Sequence, residues 1–217
     1  MMLRPPGVYR AQDDTSLLID IMNRGGFADD CDVLDVGTGG GALAVAAARA
    51  GAASVSAVDL SLRSVLTARL NCRLNGADVA VYRGDLFVPV RGRKFDLILT
   101  NPPYVPASTS VLPRYRLARC WDAGWDGRAL LDRICDGAPA ALTETGVLLL
   151  VQSQVSGEEA TIERLGVAGL QASVVARATV PFGPVMRARA NALRARGLLH
   201  PGQADEELSV IEARRAR

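Results

Sequence analysis

Asp32–Val36 (DVLDV) runs directly into Gly37-Thr38-Gly39-Gly40-Gly41, and the alanine-rich stretch Ala42–Ala50 (ALAVAAARA) follows at once. A short apolar run rich in β-branched residues reads as a buried strand. Glycines let the chain turn tightly, and alanine is the best helix former. The same alternation continues downstream. Ser54–Asp59 (SVSAVD) reads as a second strand, Ser61 as the N-cap of a helix to about Leu74, and Asn75-Gly76 as its stop. Val79–Arg83 and Phe95–Thr100 (FDLILT) read as the third and fourth strands and Gly146–Gln152 (GVLLLVQ) as the fifth. Leu131–Leu142 and Glu158–Leu165 read as helices, with Pro139 interrupting the last turn of the first. Ala172–Val180 and Leu208–Glu212 pair as a closing antiparallel ribbon. Strands alternating with helices predict a doubly wound α/β fold with a mostly parallel sheet.

The 217 residues suit one well-buried core, so residues 1–217 read as a single domain. Within it, residues 1–26 form an N-terminal arm and a helix starting near Asp13 or Thr15, expected to fold over the sheet's open edge. Residues 185–197, with Arg187, Arg189, Arg194 and Arg196, form an arginine-rich insert between the last two strands. Of the 25 basic residues only Lys94 is lysine, and the net charge is +2. That balance does not demand a polyanionic partner.

A single histidine, His200, beside Pro201-Gly202, reads as a turn residue and excludes a Ser-His-Asp triad or a histidine-rich metal centre. Cys31, Cys72, Cys120 and Cys135 are too far apart for a paired CxxC zinc site and read as small buried apolar residues. No metal is expected. With no apolar run of roughly 18 residues and no basic-then-apolar leader, the chain reads as cytoplasmic.

Gly37, Gly39 and Ala42 satisfy the dinucleotide pattern GxGxxA, and Asp59 follows the second strand as a nicotinamide enzyme would require. Asp35 argues against that reading. A carboxylate two residues before the glycines is unfavourable beside a pyrophosphate and favourable beside a sulfonium and an ammonium group. Asp85-Leu86, after the third strand, stands where an adenine amino group can donate to a carboxylate. Three acids at three strand ends suit a cationic nucleoside; each alone also fits a helix cap or a turn.

Asn101-Pro102-Pro103-Tyr104 follows the fourth strand, about 60 residues after the glycines. Two prolines stiffen the turn and restrict Asn101. The Asn101 side-chain carbonyl and the Pro102 backbone carbonyl are both acceptors, a pair able to hold the two hydrogens of a planar NH₂. Tyr104 offers a face for stacking. Methyl transfer from a sulfonium to such a nitrogen needs neither metal nor strong base, because positioning alone supplies about 7–11 kcal/mol. Pro-Pro also occurs in plain surface turns.

VLDVGTGGG, AVDLS, GDLF and FDLILTNPPYVP together resemble the class I methyltransferases of the HemK/PrmC family. Tyr9–Asp20 (YRAQDDTSLLID) and Trp121–Arg133 (WDAGWDGRALLDR) are similar to that family's opening segment and its glycine-rich segment. The likeness is strongest to the short eukaryotic and archaeal-type branch, which begins at a Tyr-x-x-x-x-Asp-Thr segment. The resemblance implies a seven-stranded Rossmann-like sheet of order 3-2-1-4-5-7-6. It also implies S-adenosylmethionine contacts from Thr15, Asp35, Gly37, Gly39, Gly41, Asp59, Leu60, Asp85, Leu86 and Asn101. Amide binding and catalysis would fall to Asn101, Pro102, Pro103 and Tyr104, and the product cofactor would be S-adenosylhomocysteine.

The implied acceptor is a glutamine side chain in a release-factor-like protein, and the branch uses a small activator subunit. Arg10-Ala11 stands where the family has Glu-Pro, and the 185–197 insert is not typical of the branch. The alternatives are a nucleic-acid methyltransferase acting on adenine N6 or guanine N2, a small-molecule N-methyltransferase, or a non-catalytic NAD-binding module. For the nucleic-acid reading, the arginine insert would supply the basic groove.

Overall fold

The computed structural model describes residues 2–9, 11–108 and 121–215; Cys120 and Arg10 lie outside them. The elements in chain order are α1 (Asp13–Arg24), β1 (Asp32–Val36), α2 (Ala42–Arg49), β2 (Ser54–Asp59), α3 (Leu62–Leu74), β3 (Ala80–Arg83) and β4 (Phe95–Thr100). They continue with α4 (Leu131–Ala141), β5 (Leu142–Ser153), α5 (Glu158–Val167), β6 (Leu170–Pro181), α6 (Pro184–Ala195) and β7 (Asp205–Arg215). The sheet has the order β3-β2-β1-β4-β5-β7-β6, as the resemblance implied. β1 to β5 pair in parallel, and β7 runs antiparallel between β5 and β6.

Both faces of the sheet are covered, which explains why its central strands read as continuous apolar runs. Successive side chains alternate between two cores. Leu97 and Leu99 join Leu18, Met22, Leu43 and Val65 on the face of α1, α2 and α3. Ile98 joins Leu131, Ile134 and Leu165 on the face of α4 and α5. α4 continues through Pro139 to Ala141, and β5 and β7 are several residues longer than their apolar cores suggested. Cys72 and Cys135 are buried as expected, whereas Cys31 is only half-buried. His200 is exposed and precedes a turn. No helix among the described residues is long and apolar enough to cross a membrane.

The N-terminal arm departs from its expected place over the open edge of the sheet. Leu3 exchanges two hydrogen bonds with the Asn71 side chain of α3, and Arg63 donates to the Pro6 carbonyl at 2.6 Å. These polar bonds pin the arm along α3 and lead Tyr9 over the glycine loop. Its side-chain Cβ lies 3.7 Å from where a Cβ on Gly39 would stand. α1 then buries Leu18 and Met22 against the sheet.

Candidate active site

The glycine loop caps the carboxyl end of β1. Gly37 and Gly39 have φ of 78° and 55°, in the left-handed region that L side chains seldom adopt. A Cβ on Gly37 would meet nothing within 4 Å, so its bareness leaves open space at the strand end. Gly41 differs, since its Cβ would stand 3.2 Å from Ala68 and hold α2 away from α3. Four of the loop's amides are already engaged. Gly37 and Thr38 both donate to the Val58 carbonyl, Gly41 donates to that of Thr38, and Gly39 donates to Asp59 Oδ2 at 2.9 Å. A phosphate loop aims such N–H groups at its anion, so this geometry disfavours a dinucleotide.

Asp35 lies directly below, fully buried. Its Oδ2 accepts from Thr38 Oγ1 at 2.6 Å and the Ala44 N–H at 3.1 Å, while Oδ1 has no partner among the described residues. Burial pushes this carboxyl up to about 7 despite those two bonds, and the neighbouring Asp59 charge adds to the rise. Asp59 Oδ1 accepts from the Ser61 N–H at 2.7 Å. Asp85, at the turn after β3, pairs with Arg133 of α4 at 2.6 Å. Leu86 has φ of 45° and packs on the second core, and Leu60 is exposed.

The Asn-Pro-Pro-Tyr corner is the loop's immediate neighbour. Val36 of β1 is in register with Thr100 of β4, so Gly37 and Asn101 leave the sheet side by side. Thr100 Oγ1 donates to the Val36 carbonyl at 2.9 Å and ties the two strand ends together. Asn101 Nδ2 donates to Thr15 Oγ1 at 3.0 Å. Because the Thr15 hydroxyl donates to Asp14 Oδ1 at 3.3 Å, its oxygen is left to accept, which fits Nδ2 facing Thr15 and Oδ1 as the acceptor the side chain presents.

Asp14 belongs to the Tyr-x-x-x-x-Asp-Thr motif, yet its role emerges only from the geometry. It is buried, and its Oδ2 accepts from Tyr9 Oη at 2.5 Å and Tyr104 Oη at 2.9 Å. Burial first, then the Asp14 charge, pushes both phenols upward, so they stay protonated as donors. One carboxylate thereby clamps the arm to the corner. Charge-assisted bonds of this type are roughly twice as strong as neutral ones. On the other side, Val105 bridges to Asp122, and Gly127 passes so close to the Tyr104 carbonyl that a Cβ would stand 2.4 Å from it.

A cavity of about 480 Å³ opens against this corner, with Asn101, Pro102 and Tyr104 on one wall. Tyr9 and Asp14 contribute from the arm, Val185 and Met186 from α6, and Glu206 from β7. Gly37 and Gly39 do not line it. Tyr9 stands between them and the cavity, lining the one and touching the other. A second hollow of about 310 Å³, beside Ser54 at the amino end of β2, lies at the opposite end of the strands from the corner.

The arginine insert is mostly α6, and its cations are engaged within the fold. Arg189 donates to the Pro106 carbonyl at 2.9 Å and pairs with Asp122. Arg196 donates to the Trp125 carbonyl and lies 4.0 Å over the Trp125 ring. Arg187 and Arg194 donate to the Phe182 and Gln203 carbonyls. The insert is therefore a wall stapled onto the segment beyond the corner, with Met186, Ala190 and Leu193 packed beneath it. No spacing in the sequence signals that these arginines meet backbone carbonyls.

The arrangement has relatives. A profile described as the methyltransferase small domain matches residues 2–112. A protein of Methanocaldococcus jannaschii, provisionally named a protein N5-glutamine methyltransferase, is 37% identical over 83% of this chain and 90% of its own length.

This chain belongs to that methyltransferase family.

The methyltransferase is also 34% identical to the release factor glutamine methyltransferase of Gloeobacter violaceus, over 74% of this chain. It spans only 58% of that relative's length. Among solved structures, the Mtq2–Trm112 complex of E. cuniculi aligns with TM-score 0.67 at 20% identity, covering 97% of this chain and 99% of that one. The T. thermophilus 16S rRNA methyltransferase RsmC, solved with AdoMet and guanosine, aligns with TM-score 0.64 at 22% identity, over 97% of this chain and 46% of that one. These two likenesses establish the shared fold.

Proposed function

We propose that this methyltransferase uses S-adenosylmethionine to methylate the side-chain amide nitrogen of a glutamine in a release-factor-like protein. The observation that carries the reading is the Thr15–Asn101 bond at 3.0 Å. With Nδ2 engaged, the asparagine oxygen and the Pro102 carbonyl are the acceptors that this corner of the cavity offers to one planar NH₂. S-adenosylmethionine supplies an electrophilic methyl on a sulfonium. The donor-side residues fit a cationic nucleoside: Asp35 Oδ1 is buried without a partner among the described residues, and a Cβ on Gly37 would meet nothing within 4 Å.

By holding both amide hydrogens, the corner twists the nitrogen lone pair out of conjugation and aims it at the methyl. The nitrogen, aimed at the methyl that the cofactor would supply, would gain positive charge as it is methylated and would release its proton to solvent as the product leaves. The Asp14 carboxylate and the corner's carbonyl dipoles stabilise that charge while it lasts. Tyr9 and Tyr104 wall the site against water.

The relatives named as glutamine methyltransferases support the acceptor class. A nucleic-acid acceptor is disfavoured, since Arg187, Arg189, Arg194 and Arg196 are engaged within the fold. The decisive experiment incubates the protein with tritiated S-adenosylmethionine and cell extract. Mass spectrometry should then find the methyl on a glutamine, and label that nuclease removes would overturn the reading.

The proposal includes a small partner subunit. Leu62, Leu66, Leu70 and Leu74 form an exposed stripe along α3, beside the edge strand β3. Isolated exposed leucines need no explanation, whereas four in a stripe mark a contact surface. The double variant Leu66→Glu, Leu70→Glu should abolish co-elution with a coexpressed Trm112-type subunit and leave the melting temperature unchanged.

A further inference from the structure

β7 is antiparallel to its parallel neighbours, so its first residues rise to the rim where the other strands end. The pairing of Ser153 with Leu208 puts Glu206 beyond the carboxyl end of β5. In the order β1-β4-β5-β7, this is the side of the corner away from the glycine loop. Glu206 is 7% exposed and lines the cavity, and its Oε2 has no hydrogen-bond partner among the described residues. Burial pushes its carboxyl upward, the Ser153 hydroxyl beside it pulls the other way, and the Asp14 charge adds to the rise. Folding thus places a second acid where it is destabilising. Among the described residues no lysine or arginine lines this cavity, and the remaining acids on its wall are Asp13 and Asp14. With only the Ser153 hydroxyl beside it, the carboxyl keeps an unmatched oxygen at the cavity wall, and a buried acceptor unmatched within the fold fits a donor that comes from outside.

We propose that Glu206 determines acceptor specificity: its Oε2 receives a hydrogen bond from an N–H of the peptide segment that carries the target glutamine. The acidic cavity then repels a segment that carries an acidic residue next to the glutamine. This assignment rests on the glutamine reading above. Asn101 holds the reacting nitrogen, and Glu206 sets which chain may deliver it.

The test uses the full chain, tritiated S-adenosylmethionine, and glutamine peptides flanked by either glycine or glutamate. A hydrogen bond to a charged group contributes about 1.5–3 kcal/mol. Glu206→Leu should therefore raise KM for the glycine-flanked peptide roughly 10- to 100-fold. Glu206→Gln keeps an acceptor oxygen and should raise it less, by about 3- to 10-fold. In both variants the glycine-over-glutamate preference should shrink, while affinity for S-adenosylhomocysteine and kcat stay near wild type. The melting temperature of Glu206→Leu should hold or rise, since a buried acid with an unmatched oxygen is gone, whereas a structural glutamate would give a fall. Wild-type KM and preference in Glu206→Leu, or an equal loss of S-adenosylhomocysteine binding, would overturn the assignment and leave the glutamine reading standing. Methyl found on another residue type would overturn the glutamine reading instead. The KM ratio of wild type to Glu206→Leu is then measured on the acceptor actually labelled, where it decides Glu206 on its own.

Discussion

The two sides of the rim are built on different principles. On the glycine-loop side, Asp35, Gly37, Gly39 and Asp59 span 25 residues, and the polar atoms are bound mainly to one another through backbone amides. On the corner side, Tyr9, Asp14, Asn101, Tyr104, Met186 and Glu206 come from the arm, β4, α6 and β7. Tyr9 meets Asp14 locally, but the bonds that close the corner run between side chains 86 to 90 residues apart, and one carboxyl oxygen is left unmatched. The local side is a scaffold that related proteins can share. The assembled side is where an acceptor is chosen.

The sharpest way to break this contrast is Asn101→Ala. Removing one preorganised contact at the reacting group lowers turnover by about 10²–10³-fold, and calorimetry should find S-adenosylhomocysteine affinity little changed. Equal losses on both sides would erase the distinction.

The next effect is on pH. A carboxyl raised to about 7 in the folded protein against 3.8 unfolded favours folding while protonated. That stabilisation is full below the unfolded value and is lost as pH rises through about 7, amounting to about 4 kcal/mol. A cationic ligand beside the ionised Asp35 reverses the demand. Affinity for S-adenosylmethionine should fall by up to about tenfold per unit below pH 7. Asp35→Asn should flatten the titration, and a pH-independent affinity in wild type would show that Asp35 does not face the ligand's charge.

A smaller change is expected from Asp14→Ala, which strands two half-buried phenols. At about 1–3 kcal/mol, and 2–4 °C per kcal/mol for a chain of this size, the melting temperature should drop by roughly 2–12 °C. Tyr104→Phe should recover part of that loss in the double variant, because the orphaned hydroxyl is removed. Smallest of all, Arg196→Ala deletes a stacking contact of about 0.5–2 kcal/mol and should leave salt-dependent nucleic-acid binding as it was. A gel-shift titration checks this, and weakened binding would restore a basic-groove role for α6.

Much of the glycine-loop side was legible beforehand, because strand, turn and cap signals act over a few residues. Ser61 caps α3 through the Ser64 N–H as expected, and FDLILT matches β4 residue for residue. Three features were not legible. The arm's course depends on Asn71 and Arg63, some 60 residues from their partners. The insert's arginines were read as a patch, yet they meet backbone carbonyls that only folding brings near. Glu206 carries no motif, and its meaning comes from β7 running antiparallel.

From the residues alone came the alternating elements, the positive-φ turn that only glycine enters freely, and a proline-stiffened corner with two acceptors. These follow from short-range sterics and hydrogen-bonding inventory, which any chain of this sequence carries with it. Tertiary structure alone decided which acid clamps the tyrosines, which carboxyl stays unmatched, and that the insert is a wall. Burial and partnership are properties of the packed molecule, set by strand order and register between residues far apart in the chain.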